Sequence, residues 1–235
     1  MPNGPVRMIS PATRNIHPQS SLVDVDSSAS TVVVLDFETT GLSPDHGNRA
    51  IEIGAVKLVD GVIVDRFQQL MNPGRKISFF IEDFTGITNG MLQNAPSCEE
   101  TMCSFAQFVQ DFSLVAHNAS FDARFLRSEF ERIHHVQDEP FACSMLAARR
   151  IYPNAPNHKL ETLVRYKNLP SDGNYHRALA DAEMTAHLWK AILDDISTQY
   201  GISHIPFRLM QKLTRTAKQS VPRLLSCINQ HDERS

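Results

Sequence analysis

No apolar stretch long enough to cross a bilayer, about 18 residues or more, occurs in the 235-residue chain. Its apolar runs, such as Val32 to Leu35 and Leu114 to Ala116, are only a few residues long. That absence excludes a transmembrane helix, and no membrane partner is expected. Cysteine is scarce: Cys98, Cys103, Cys143 and Cys227 form no CxxC pair and no zinc-like spacing with the ten histidines, which fits reduced thiols in the cytoplasm. The first thirty residues lack the apolar core of a secretory signal, and four prolines argue against an amphipathic transit helix despite Arg7, Arg14 and the absence of any acid before Asp24. No strong charge of either sign is present, the formal balance being −3, and there is no internal repeat. What remains is ordinary globular composition, 42% hydrophobic, enough for one sizeable core with appendages.

Residues 1–30, rich in Pro, Ser and Asn, carry no apolar periodicity and are expected to be a disordered tail. Val32 to Leu35 reads as a strand buried on both faces that delivers Asp36 and Glu38, on a shared face, at its C-terminal end. Ile51 to Val59 and Val62 to Met71 read as a hairpin turning at Asp60-Gly61, so the sheet is mixed. Residues 77–96 read as loops and short helical turns. Ser97 with Glu100 has the form of a capping box ahead of a stripe of Phe105, Phe108, Val109 and Phe112. Leu114 to Ala116 returns as a strand, and Phe121, Phe125, Leu126 and Phe130 mark a helix with Asp122 in its first turn. A short strand at Phe141 to Cys143 and helices at Leu160 to Tyr166 and Ala178 to Leu193 complete an α/β fold.

Asp36, Glu38, Asp122 and Asp181 stand where a sheet protein would not place acids for stability. Carboxylates gathered together raise one another's pKa, and such a cluster is tolerable when cations neutralise it. Hard divalent ions suit oxygen donors, and a pair of them can clamp an in-line displacement at phosphorus. His176, five residues before Asp181 on the approach to a helix, is placed to act as the base for water.

The runs Val34 to Leu42, His117 to Asp122 and His176 to Asp181 resemble, in order, the three motifs of the DnaQ-like, DEDDh-type 3′-to-5′ exonucleases, with Ile51 to Val56 similar to the strand after the first motif. The resemblance covers about residues 31–193. It implies a ribonuclease-H-like mixed sheet flanked by helices, two Mg²⁺ or Mn²⁺ ions, and release of nucleoside 5′-monophosphates from a 3′ end. On this chain it implies that Asp36, Glu38 and Asp181 hold one ion, that Asp36 and Asp122 serve the second, and that His176 is the general base. It also implies a terminal-nucleotide site along Phe37, Thr39, Thr40, Gly41 and Leu42, with Leu42 as a wedge between bases, Phe121 against a sugar or base, and Asn118 and His176 alongside. One departure stands out: many members carry His-Gly-Ile-Thr where this chain has Thr85-Gly86-Ile87-Thr88.

The resemblance gives a domain over residues 31–196 and leaves 197–235 as a basic helical extension. Between Ile196 and Gln230 there is no acid, while Arg208, Lys212, Arg215, Lys218 and Arg223 recur around Leu209, Met210, Leu213 and Ala217. Three readings stand: a helix packed by its apolar face, a phosphate-tracking surface beside the cleft, or a docking element for a polymerase or another replication or repair partner. The expected substrate is single-stranded or frayed DNA, with RNA or short oligonucleotides as the alternative, and a docking module on an exonuclease scaffold as a third reading.

Overall fold

The computed structural model describes residues 27–136, 140–171, 173 and 176–232, and only the backbone over 228–232. Most of the tail expected over residues 1–30 lies outside these residues. Its last four belong to the folded body: Ala29 is fully buried, its N–H donates to the Ile205 carbonyl at 2.8 Å, and its own carbonyl accepts from Trp189 Nε1 at 2.8 Å. The folded body therefore includes residues ahead of the expected start at Thr31, with Ala29 in the core that also holds Trp189 and Ile205.

Five strands form one sheet in the order β3-β2-β1-β4-β5. β1 (Val32–Thr39) pairs antiparallel with β2 (Ala50–Val59), which pairs antiparallel with β3 (Val62–Leu70). The hairpin turn falls at Asp60-Gly61, with φ of +51° and +75°, a pair of left-handed residues that suits the twist of the flanking strands. On the other side β1 runs parallel to β4 (Leu114–Ala116), and β4 to β5 (Phe141–Cys143). The sheet is mixed, as its sequence pattern implies.

Side chains alternate across β1 and separate two cores. Val33, Leu35 and Phe37 face α3 (Cys98–Val109) and α4 (Ser120–Arg132), against Phe105, Phe125 and Phe130. Val32 and Val34 face α5 (Ser144–Ile151), α6 (Leu160–Tyr166) and the long α7 (Ala178–Tyr200), against Trp189, Leu188 and Ile192. Asp36 and Glu38 continue the second parity, so β1 aims both carboxylates towards the α7 side. The capping box at Ser97 and Glu100 closes the start of α3, as expected. Residues 77–96 contain α1 (Phe79–Thr85) and α2 (Asn89–Gln93).

α8 (Phe207–Arg215) buries Phe207, Leu209, Met210 and Leu213 in the same core as α7, followed by α9 (Val221–Asp232). The segment before α8 zips onto the chain ahead of β1: Ser28 and Pro206 form an antiparallel bridge, and the Phe207 N–H donates to the Ser27 carbonyl at 2.7 Å. Gln211 Nε2 donates to the carbonyl of Phe141, where β5 begins. These contacts put α8 at the end of the sheet where the parallel strands start, opposite the carboxylates at the end of β1. The reading of residues 207–223 as a phosphate track beside the cleft is therefore corrected, and the apolar-face packing of α8 is what the structure shows. Among the described residues no helix is long and apolar enough to cross a membrane.

Candidate active site

The site is assembled at the C-terminal end of β1 by an absent side chain on β2. Asp36 lies opposite Gly54 in the β1–β2 register. A Cβ at Gly54 would stand 2.1 Å from backbone atoms of Ala178 and Leu179. Only a glycine lets the first turn of α7 rest directly on the strand, and that turn carries Asp181.

Glu52 and Arg177 hold the same junction from the side. The Glu52 carboxylate is fully buried and takes Arg177 Nε at 3.1 Å, Arg177 Nη2 at 2.8 Å, the Ala178 N–H at 3.1 Å and Gln68 Nε2 at 2.9 Å. Every oxygen of this buried acid is matched by a donor, which is the condition for keeping a charge inside. The Asp181 carboxylate in turn accepts the backbone N–H of His176 at 2.8 Å and of Arg177 at 3.2 Å, fixing the loop that carries His176. Neither Glu52 nor Arg177 is singled out by the sequence motifs. Their pairing spans 125 residues, although each lies inside a run that resembles the family, Ile51 to Val56 and His176 to Asp181.

Oxygen atoms of Asp36, Glu38 and Asp181 lie within 4.8 Å of one another. Removal from water, then repulsion from Asp122, Asp181 and Glu38, raises the Asp36 carboxyl well above the usual range. Burial, then Asp181, Glu52 and Asp122, lifts Glu38 to about 8. Asp122 is buried and accepts the Phe37 N–H at 3.2 Å; burial raises its carboxyl to about 7. The structure therefore gathers three of the acids as a tight group, with Asp122 close enough to repel Asp36 and Glu38.

Asp36, Glu38 and Asp181 open into a cavity of about 520 Å³. Phe37, Thr39, Gly41, Leu42, Asn118, Phe121 and His176 line it. Leu42 lines it with 80% of its surface exposed. Thr40 does not line it: its hydroxyl is occupied by Asn48, Arg75 and the Arg49 N–H, so it closes the turn after β1 instead. His117 does reach the cavity wall, yet both ring nitrogens are held, by Ser144 Oγ at 2.9 Å and the His158 carbonyl at 3.0 Å. Burial lowers its pKa to about 4, consistent with a neutral structural histidine. Thr85, at the departure from the family pattern, is buried and spends its hydroxyl on the Ile81 carbonyl and the Ile87 N–H. A larger cavity, of about 750 Å³, lies between α8 and α9 and holds no acid. Chemistry, not size, identifies the active cleft.

Residues 33–189 match the Exonuclease (RNase_T) family. The chain belongs to the exonuclease family. Among curated relatives, the PolC-type DNA polymerase III of Bacillus subtilis (strain 168) is 39% identical over 176 residues, 74% of this chain and 12% of that protein. The PolC-type polymerase of Thermotoga maritima is 36% identical over 219 residues, 93% of this chain and 15% of that protein. The exonuclease chain thus spans a small part of the length of these relatives. Of solved structures, Exonuclease X in complex with 5′ overhanging duplex DNA superimposes with a TM-score of 0.62 at 28% identity, over 78% of this chain and 99% of that one. The nuclease domain of 3′hExo, a DEDDh family member bound to rAMP, shares the fold at a TM-score of 0.61 and 20% identity, over 72% of this chain and 94% of that one. With its DnaQ-like motifs in place, this is an exonuclease domain.

Proposed function

We propose that the exonuclease releases nucleoside 5′-monophosphates from single-stranded or frayed DNA 3′ ends by two-metal-ion hydrolysis, with Mg²⁺ or Mn²⁺. The observation that carries this reading is the group of three carboxylates within 4.8 Å at the floor of a cleft that His176 also lines. The donor set is all hard oxygen and strongly self-repelling, which suits divalent cations of this class. Asp36, Glu38 and Asp181 would hold one cation, with Asp36 and Asp122 serving the second. When bound, such ions neutralise the cluster and stabilise charge developing on oxygens around phosphorus.

The chain's own residues do the rest. His176 takes the proton from the attacking water. Phe37, Thr39, Gly41 and Asn118 seat the terminal nucleotide, Leu42 separates its base from the next, and Phe121 packs on a sugar or base. DNA is favoured because curated relatives are DNA polymerases by name and Exonuclease X was solved with duplex DNA. A cytoplasmic setting is supported by the four free cysteines. Residues 197–235 are the proposed attachment for a polymerase or another replication or repair partner.

The test uses 5′-labelled single-stranded DNA, duplex DNA and RNA with Mg²⁺ or Mn²⁺ and a chelator control. Shortening from the 3′ end, fastest on single-stranded DNA and stopped by chelator, is expected. Preferred degradation of RNA would overturn the substrate assignment. His176→Ala should lower turnover by roughly 10²- to 10⁴-fold with metal affinity unchanged; an equal loss of metal affinity would reject His176 as the base.

A further inference from the structure

α1 is tied down on one side and left bare on the other. Ile81 packs on the small core of Ile51, Ile77, Ile87 and Leu92. The Glu82 carboxylate takes the Asn89 N–H at 2.6 Å and Asn89 Nδ2 at 2.8 Å, and Ser78 caps the first turn. These contacts account for the helix without its phenylalanines. Phe80 and Phe84 are nonetheless 70% and 48% exposed, and both line the active cleft. Phenylalanine contributes to stability by burying its ring, so core packing does not explain two rings left facing an opening.

Their geometry does point somewhere. One helical turn apart, the rings of Phe80 and Phe84 stack with centroids 6.0 Å apart and planes 9° from parallel. The Phe84 ring then meets the imidazole of His176 at 4.0 Å between centroids, tilted by 38°. His176 is exposed and sits at φ +64°, a conformation costly for a residue with a Cβ, and its backbone is held there by the Asp181 carboxylate. The backbone of His176 is thus pinned by a carboxylate of the cluster, and its ring rests on α1. A base must present one nitrogen along one direction, and an exposed side chain on a loop has several rotamers to lose.

We propose that Phe84 is a positioning residue for His176: α1 holds it as a fixed aromatic wall, braced by Phe80, that selects the imidazole orientation used in proton transfer. The inference rests on the reading of His176 as the general base. It makes Phe84 act through His176 and not on the nucleotide.

The experiment compares wild type, Phe84→Ala, Phe84→Tyr, His176→Ala and the Phe84→Ala/His176→Ala double variant, each in the full chain with Mg²⁺. The probe is a p-nitrophenyl ester of a nucleoside 5′-monophosphate, which has no second base to stack. Phe84→Ala is expected to lower kcat by roughly 10- to 100-fold with KM within about twofold, as for a displaced catalytic group. Phe84→Tyr should restore kcat to within a few fold of wild type. In the His176→Ala background, Phe84→Ala should have no further effect. The imidazole C–H resonances of His176, identified by their loss in His176→Ala, should shift in Phe84→Ala as the ring current is removed and stay near wild type in Phe84→Tyr. A wild-type kcat, unmoved His176 resonances, or a raised KM at constant kcat would overturn the proposal. Failure of the underlying reading looks different: His176→Ala would itself remain active. An inactive His176→Ala with a fully active Phe84→Ala rejects the positioning role alone.

Discussion

Replacing Glu38 by glutamine should make the metal-free protein more stable at alkaline pH while destroying its activity. Glu38 is buried between Asp36 and Asp181, and no described residue donates a hydrogen bond to its carboxylate. Its pKa rises from 4.5 to about 8, so the folded state retains a proton that the unfolded chain has already released. A raised folded-state pKa contributes stability that is fully present below about 4.5 and is lost as pH climbs through about 8. At 1.36 kcal/mol per pH unit the ceiling on that loss is about 5 kcal/mol. Water entering an open cleft and the shared response of Asp36 reduce it, and about 2 kcal/mol is a reasonable working figure. For a chain of this size that corresponds to roughly 4–8 °C in Tm. The assay is calorimetry in chelator from pH 5 to pH 9. Wild type should lose Tm as pH climbs from 5 towards about 8 and level off beyond it, and Glu38→Gln should lose less, so the two curves separate across that range. Adding Mn²⁺ should raise the wild-type Tm at pH 8 through binding to the native state and leave the variant nearly unmoved. Parallel curves, or a variant less stable than wild type at pH 9, would refute the reasoning by showing that Glu38 carries no buried charge penalty.

Gly54→Ala should abolish activity out of proportion to its stability cost, since the new methyl would meet the α7 backbone at 2.1 Å and push Asp181 away from Asp36; about 1–3 kcal/mol of destabilisation and more than a tenfold loss of turnover are expected, and near-wild-type kinetics would show that the helix yields freely. Leu213→Ala, in the fully buried face of α8, should cost roughly 2–5 kcal/mol by chemical denaturation while leaving kcat at low temperature unchanged, and a loss under about 0.5 kcal/mol would mean α8 is not core.

Much of the sheet and helices was legible because short-range chemistry dictated it. Asp60-Gly61 could hardly be anything but a tight turn, and Ser97 with Glu100 closes a helix wherever it occurs. The four acids were legible because acids at the end of an apolar strand and at helix starts are out of place for stability alone. What the sequence hid are couplings between distant segments. Glu52 reads as one polar residue in an apolar strand until Arg177 is seen beside it. Gly54 reads as a weak point until α7 lies on it. The amphipathic pattern of residues 207–215 shows that a helix forms and which face is apolar, but not which end of the sheet it covers. The outward rings of α1 were unreadable for the opposite reason: an apolar residue in a short helix is ordinarily taken for core.

The placement of α8 turns β1 into a ruler. Six residue steps, from Val32 to Glu38, run from near the segment clasped by Pro206 and Phe207 to the carboxylates, a span of about 20 Å at 3.3 Å per step. A nucleic-acid strand laid along that distance at ~3.4 Å per step must be on the order of six nucleotides long to touch both ends. Shorter oligonucleotides are blind to the basic extension whatever it binds, and length dependence of cleavage becomes a measure of whether the far end of the sheet is in use.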